Sequence, residues 1–241
     1  MGLTTQKENN ALFLTIVGGD LVQKVAEGTQ GAVKRVYETP DGGKGEKWEI
    51  HHRDLTGYIS GIDFRDTDFG EQCNIKITDG VETAVLSIPT ESRYFMDFGQ
   101  KLSNIDFNEQ IVLNPYDFTG NNGKQIRGIS IQQNGQKVEN YFWDKENKKL
   151  INGIVSPENN GKDFDKDDWK MYFIRLKKFL KKHIESQIGG IGNFKVQQNT
   201  QKTANEVFHE TNYEQDKKSA YPEYKKGDIP PEPEEDLGLP F

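Results

Sequence analysis

The chain has 241 residues, of which 33% are apolar and 29% charged, and its formal net charge is −7. The apolar share lies below the about 45–50%, glycine included, of an average globular protein, which predicts one compact core of about 130–150 residues rather than a tightly packed 241-residue enzyme. No run approaches the ~18 apolar residues of a membrane span, the first residues carry no secretory signal, and the single Cys73 excludes an internal disulfide and a multi-cysteine zinc site. We therefore expect a soluble, cytoplasmic protein.

The first third of the chain predicts β structure. Residues 11–17 are apolar and end at Gly18 and Gly19, which predicts a strand. Residues 32–38 and 46–51 predict two further strands on either side of a Pro-Asp-Gly-Gly sequence. Because glycine adopts the positive φ that a tight turn needs, these two strands should form a hairpin.

The middle of the chain has the element order β-β-β-α-β-β. We predict strands at 55–64, 73–78, 82–88, 110–116 and 125–132, a helix at 92–105 and a further hairpin arm at 136–143. Glycines inside the first of these strands predict a bulge or a sharp coil. The order predicts an OB-fold, a mainly β five-stranded barrel whose open face binds oligonucleotides or oligosaccharides. Other small barrels and sandwiches share the same coarse order.

The last third predicts one amphipathic helix followed by polar chain. Apolar residues recur at three- and four-residue spacing over 166–187, acids crowd the start of this helix, and Gly189 and Gly190 end it. Residues 193–227 are polar and poor in aliphatic side chains, which predicts a mostly disordered linker. The basic residues of the helix either contact phosphates, dock the acidic C-terminus or form a solvated face, and they are Arg175, Lys177, Lys178, Lys181 and Lys182.

The C-terminus combines an acidic, proline-rich spacer with an apolar tip. Residues 228–241 hold four of the nine prolines, five acids and no base, so we expect an extended, disordered tail. A terminal phenylalanine can fill an apolar pocket on a partner while its carboxylate meets an Arg or Lys. The residues that we expect to bind a partner are Asp236, Leu237, Leu239, Pro240 and Phe241.

Residues 236–241, behind Glu232, Glu234 and Glu235, resemble the tail of bacterial-type single-stranded DNA-binding proteins, which end in an acidic stretch and a short apolar tip. The resemblance implies an OB-fold that binds single strands, a low-complexity linker, and a tip that recruits replication and repair enzymes. The chain departs from that pattern in its wider tip and in the additional helix. An OB-fold with such additions is similar to bacteriophage relatives of the family.

The resemblance suggests four segments. They are an OB-fold nucleic-acid-binding domain with N-terminal strands (1–150), an amphipathic helix packed on it (151–190), a flexible linker (191–227) and an acidic partner-binding tail (228–241). We expect a non-enzymatic protein of DNA replication, recombination or repair in the bacterial or infected-host cytoplasm. Its expected partners are single-stranded DNA and replication or recombination proteins, with no membrane and no cofactor, and homo-oligomerisation is left open.

Single-strand binding needs aromatic platforms for bases and cations for phosphates. Among the interleaved aromatic and basic residues, Trp48, Tyr37 and Tyr116 rank highest because of their basic neighbours, although most Phe and Trp side chains are core residues. Residues 1–150 hold 17 basic and 22 acidic side chains, so binding requires the acids to cluster away from the groove. The predicted contact residues are Arg35, Tyr37, Lys47, Trp48, Arg53, Tyr58, Phe64, Arg65, Lys76, Tyr116, Lys124 and Arg127.

Two alternative functions stay open at this point. One is a metal-dependent nuclease in which Asp63, Asp66, Asp68 and Glu71 ligate Mg²⁺, although a polar turn between two strands explains the same residues. The other is a non-enzymatic virion or interaction protein, which would have no salt-dependent affinity for oligonucleotides. Cys73 alternates with outward residues and is predicted to be a core residue rather than a nucleophile.

Overall fold

The computed structural model describes residues 11–39, 42–154 and 165–188. The predicted linker (191–227) and acidic tail (228–241) lie outside the described residues. Within them the chain is mainly β, as predicted, with ten strands in one mixed sheet, two short strands in a separate ladder, and two α-helices.

The strands are β1 (Leu12–Val17), β2 (Asp20–Val25), β3 (Val33–Glu38), β4 (Lys44–His52), β5 (Leu55–Thr67), β6 (Gly70–Thr78), β7 (Thr83–Pro89), β8 (Ile111–Thr119), β9 (Gln125–Gln133), β10 (Gln136–Lys137), β11 (Trp143–Asp144) and β12 (Lys149–Leu150). The helices are α1 (Arg93–Lys101), continued by a 3-10 turn (Leu102–Asn104), and α2 (Lys166–Ile188). The order of the strands across the large sheet is β10-β9-β8-β5-β6-β7-β1-β2-β4-β3.

The five strands predicted for the barrel are neighbours in this sheet, in the order β9-β8-β5-β6-β7. Closing them into a barrel would require the end strands β7 and β9 to meet. Instead β7 pairs in parallel with β1, from Leu12–Ala84 to Leu14–Leu86, and β9 pairs with β10. The described strands therefore form an open sheet, and no closed five-stranded barrel is found among them.

The N-terminal region contains one strand more than we predicted. Gly18 and Gly19 do not simply end β1 but form the turn of a hairpin with β2, and both have positive φ angles, of 60° and 87°. A Cβ atom on Gly19 would lie 2.6 Å from the backbone nitrogen of Asp117 on β8. The β1–β2 turn thus packs against the end of β8, which brings two distant parts of the sheet together.

Strand β5 is long because it is shared by two neighbours. Its first residues pair with β8 and the rest pair with β6, and the register shifts between Ile59 and Gly61. The predicted bulge is confirmed at this point. Gly57 lies so close to β6 that a Cβ atom there would be 2.7 Å from the Thr78 carbonyl oxygen.

The core lies between one side of the sheet and the two helices. Alternate residues of β5, β6 and β7 point into it, and α1 covers them with Phe95 and Phe98, which are fully buried. Ser92 begins α1, since its side chain accepts a hydrogen bond from the Phe95 N–H at 3.2 Å. The apolar spacing predicted for this helix is therefore the face that meets the core.

Helix α2 packs on α1 through small and aliphatic residues. Gly99 of α1 leaves room for Leu180 and Ile184, both fully buried. Burial of each of these side chains contributes about 1.5–3 kcal/mol. Lys177 forms an ion pair with Glu91 at 3.1 Å, and further along the helix Lys181 is paired with a carboxylate at the start of β6.

The predicted hairpin arm at 136–143 is only partly correct. Strand β10 has two residues, after which Val138 and Phe142 turn into the core and are 6% and 0% exposed. Burial of these apolar side chains takes the chain away from the sheet edge.

Of the helices that the structure describes, neither is both long and apolar enough to cross a membrane.

Candidate nucleic-acid interface

We call the side of the large sheet that faces away from the core the outer face. Across its centre, Gly61, Lys76, Val85 and Phe13 are successive cross-strand partners on β5, β6, β7 and β1. Phe13 is 68% exposed, whereas its neighbour Leu14 points into the core. A free aromatic ring therefore stands in the middle of the outer face, two strand spacings or about 10 Å from the strand that carries Lys76.

Polar side chains next to Lys76 form a hydrogen-bonded network. Lys76 pairs with Asp63 at 3.0 Å, and Asn74 links Asp63 (2.9 Å) to the Ser87 hydroxyl (2.8 Å). Partial burial works against ionisation of Asp63, but hydrogen bonds from Asn74 and Lys76 outweigh it and lower the pKa of this carboxyl. The network holds the Lys76 ammonium group in one place on the outer face.

A second cluster of predicted residues lies on the outer face of β3 and β4. Arg35 donates two hydrogen bonds to Glu49, at 2.6 and 2.7 Å, and Glu49 is 3% exposed. The hydrogen bonds from Arg35 lower the pKa of Glu49 despite its burial. Tyr37 lies across Gly45, and the Lys47 ammonium nitrogen is 4.4 Å from the centre of the Tyr37 ring. Three of the predicted contact residues, Arg35, Tyr37 and Lys47, thus form one aromatic and cationic group.

Trp48 does not belong to this group. It alternates with Lys47 along β4, and its cross-strand partners are Lys34 on β3 and Val25 on β2. Its half-buried indole therefore points to the opposite side of the sheet from Tyr37. Trp48 and Tyr37, both predicted as contact residues, thus lie on opposite sides of the sheet, because successive residues of a strand alternate between its two sides.

Two exposed phenylalanines lie at strand ends, one in the turn after β5 and one near the end of β8. Phe69, in the two-residue turn between β5 and β6, is 90% exposed, and Gly70 after it has a φ of 95°. Phe118, at the end of β8, is 49% exposed and its ring centre lies 5.9 Å from that of Tyr116. The predicted Lys124 lies in the turn after β8, close to Phe118 in the chain.

Three further predicted residues lie at separate places on the surface. Arg53 is exposed in the turn between β4 and β5. Tyr58 lies on the outer face opposite Thr78, and Arg65 is exposed near the end of β5 opposite Gln72. The structure thus spreads these residues along the outer face and its rim rather than gathering them at one point.

Two predicted aromatic residues are packed against other groups rather than free. The Phe64 ring packs edge-on against Phe95 at 6.1 Å, with the Lys181 ammonium nitrogen 5.0 Å from its centre. Tyr116 fills the space above Gly128, and burial, together with the Asp97 carboxylate, raises the pKa of its hydroxyl. Neither ring is free to stack on a base, so the general preference of aromatic side chains for the core applies here.

Binding was expected to require that the acidic residues cluster away from the predicted cations. The structure shows the opposite for three of them. Asp63, Glu49 and Asp117 instead pair directly with Lys76, Arg35 and Arg127, the last at 2.9 Å. Among the described residues, no salt bridge involves Lys47, Arg53 or Arg65. Lys47, Arg53 and Arg65 could therefore meet a phosphate without losing a salt bridge, whereas Lys76, Arg35 and Arg127 already have a carboxylate partner.

Two of the four acids of the nuclease alternative are engaged by other side chains, and Asp66 lies opposite Glu71 in the β5–β6 ladder. Asp63 pairs with Lys76, while Glu71 pairs with Lys181 and accepts a hydrogen bond from Thr90 at 3.2 Å. Residues 11–39, 42–154 and 165–188 contain no group of three or more His, Cys, Asp or Glu side chains that could hold a metal ion. Cys73 is buried as predicted, and burial raises the pKa of its thiol to about 12, which keeps it unreactive.

The basic half of α2 has a mixed role. Lys177 and Lys181 attach the helix to the body of the protein through Glu91 and Glu71. Arg175, Lys178 and Lys182 are exposed at the other side of the helix and have no salt bridge among the described residues. Two of the five predicted cations are thus used for packing, and three remain open to solvent.

No protein-family model, curated protein or solved structure matches this chain. A functional proposal therefore depends on the sequence and on the surface just described. Sequence reasoning missed the two most exposed phenylalanines on it, Phe13 and Phe69. Phe13 was counted with an apolar strand and Phe69 with a polar loop. The signal that could have found them is an aromatic residue at an outward strand position and at a turn tip, where no core exists to bury it.

Proposed function

We propose that the chain binds single-stranded DNA on the outer face of its sheet, without sequence preference. The observation that carries the proposal is the set of phenylalanine rings on that face and its rim, Phe13, Phe69 and Phe118, which are 49–90% exposed. Removal of each ring from water is favourable, so a ligand that covers these rings gains affinity from the contact. Bases stack on such rings whatever their identity.

The arrangement of the strands supports an OB-like reading of this surface. β5, β6 and β7 form one antiparallel meander, β5 also pairs with β8, β8 pairs with β9, and α1 connects β7 to β8. In an OB-fold the ligand lies across the second and third strands, between the loops that follow the first and the fourth. Those loops correspond here to the β5–β6 turn with Phe69 and the β8–β9 turn that follows Phe118. We propose an OB-like unit whose open side is filled by the β1–β2 hairpin.

The charges of this surface set the expected strength of binding. Lys47, Arg53 and Arg65 can contact phosphates without losing a salt bridge, whereas Arg35, Lys76 and Arg127 first have to leave a carboxylate. Affinity should therefore come mainly from stacking, with a modest salt dependence. About three phosphate contacts give a slope of about −2 in a plot of log K against log salt.

The acidic tail adds a second part to the proposed function. Its tip, Leu239–Phe241, would bind a basic-rimmed apolar pocket on a replication, recombination or repair protein. The proposal rests on the sequence of the tail and on its resemblance to the tails of single-stranded DNA-binding proteins. The acids before the tip would steer it toward such a pocket.

Alanine variants of the exposed phenylalanines test the proposal. Each of Phe13→Ala, Phe69→Ala and Phe118→Ala should weaken binding of a fluorescent dT oligonucleotide about 5- to 150-fold, because stacking on one ring is worth about 1–3 kcal/mol. Met171→Ala is the matched control, since Met171 is 49% exposed on α2, outside the proposed surface. Equal affinities of all four variants and the unchanged protein would contradict the assignment of this surface.

A further inference from the structure

The outer edge of β3 is an unpaired edge of the large sheet. β3 is the last strand in the sheet order, and within the described residues no strand pairs with its outer side. Val33 and Val36 on this strand are 60% and 53% exposed. An open strand edge is a template for pairing with another chain unless charges or prolines block it.

The hydrogen bonds of the β3–β4 hairpin show which backbone groups point outward. The Thr39 N–H donates to the Gly43 carbonyl at 2.9 Å, just after the last ladder pair, Glu38–Lys44. Because hydrogen-bonded pairs alternate along an antiparallel ladder, Val33, Arg35 and Tyr37 bond to β4. The N–H and carbonyl groups of Lys34, Val36 and Glu38 therefore point away from the sheet.

We propose that two copies of this chain associate through their β3 strands, which pair antiparallel about a two-fold axis at Val36. In this register Val36 faces Val36 of the second copy, and Lys34 faces Glu38 of the second copy. Every outward backbone group of β3 then finds a partner, and the two directly opposite pairs of charges are of opposite sign. Arg35 meets Tyr37 of the second copy on the outer face, in a cation–aromatic pair.

The neighbouring registers are less favourable for reasons of charge and backbone chemistry. Moving the axis to Arg35 sets Arg35 against Arg35 of the second copy, and moving it to Lys34 or Glu38 sets like charges opposite each other. Moving it to Tyr37 pairs Lys34 with Pro40, which has no N–H to donate. The sequence of β3 is thus self-complementary in the Val36 register, which is the property that a two-fold interface requires.

The proposed dimer does not depend on DNA binding. Its test measures the mass of the protein in solution without DNA. In analytical ultracentrifugation of the full chain between about 1 and 100 µM, we expect a reversible shift from one to two chain masses, as a small interface of micromolar affinity gives. Val36→Pro should abolish the shift, because it removes an outward N–H while leaving the β3–β4 hydrogen bonds in place. A full chain that stays monomeric at the highest concentration, or a Val36→Pro variant that still dimerises, overturns the proposal.

Charge reversal and cross-linking test the register itself. Glu38→Lys should weaken dimerisation at least tenfold, because it sets two lysines opposite each other. Adding Lys34→Glu restores a pair of opposite charges and should restore dimerisation. A general loss of folding would not be rescued in this way. Val36→Cys should form an intermolecular disulfide on mild oxidation, since opposite residues of a hydrogen-bonded pair have Cα atoms about 5.5 Å apart. Val81→Cys, on a turn where the side chain is 91% exposed, is the control for random collision. No rescue, or equal cross-linking of both cysteine variants, overturns the Val36 register.

Discussion

At the scale of single residues, the pairing of charges decides what the outer face can do. Glu49 is almost fully buried under Arg35, so its negative charge is retained only because two hydrogen bonds satisfy it. The same pair fixes Arg35 beside Tyr37. The sequence placed Arg35, Tyr37 and Lys47 among the candidate contacts but gave no sign of Glu49, because a glutamate in a strand is usually exposed.

Removing the charge of Glu49 should change the acid stability of the protein. Because the folded-state pKa of Glu49 is lowered, its contribution to stability is present above its unfolded pKa of about 4.3 and is lost as the pH falls through the folded value. Glu49→Gln should therefore lower the free energy of unfolding at neutral pH by about 1–3 kcal/mol. The difference from the unchanged protein should shrink as the pH falls below about 4.3. Urea unfolding at several pH values measures it, and a constant difference would exclude the ion pair as the cause.

At the scale of elements, strand existence was easier to predict than strand pairing. Alternation of apolar and polar residues placed β5 to β9 within a few positions, and the glycines of β5 predicted its bulge. Pairing depends on contacts between residues that are distant in the sequence. Nothing in residues 11–17 shows that this strand pairs in parallel with β7, the strand edge to which β9 would have to bind to close a barrel. The second arm of the hairpin, β2, was missed because two glycines were interpreted as an end rather than a turn.

The contact of the β1–β2 turn with β8 can be tested with two adjacent glycines. Gly18 and Gly19 both have positive φ angles, but a Cβ atom on Gly18 would meet nothing within 4 Å, whereas one on Gly19 would clash with the backbone of Asp117. Gly18→Ala should cost about 1–2 kcal/mol from left-handed backbone strain alone. Gly19→Ala should cost a further 1–3 kcal/mol, about as much as overpacking does elsewhere. Thermal or urea unfolding gives both values, and equal losses would mean that the turn does not press on β8.

At the scale of the whole molecule, the exposed rings and the unpaired cations make the outer face the main candidate for a binding surface. The sequence led to single-stranded DNA as the expected ligand through the acidic tail and the element order, and the predicted cations Arg53 and Arg65 are exposed. It could not separate stacking rings from core rings, because that depends on which side of a curled sheet each residue faces. Of the rings predicted as platforms, Phe64 packs against the core and Tyr116 packs over Gly128, while the unpredicted Phe13 and Phe69 point to solvent.

The central claim is tested most directly by fluorescence anisotropy of a labelled dT oligonucleotide titrated with the full chain at about 50 and 200 mM salt, beside a duplex of the same length and an RNA strand. We expect tight binding of the single strand at the lower salt concentration, a loss of about 10- to 30-fold at the higher one, and much weaker binding of the duplex, whose bases are already stacked. No change in anisotropy with dT at the lower salt concentration, or equal affinity for the duplex, would contradict the account.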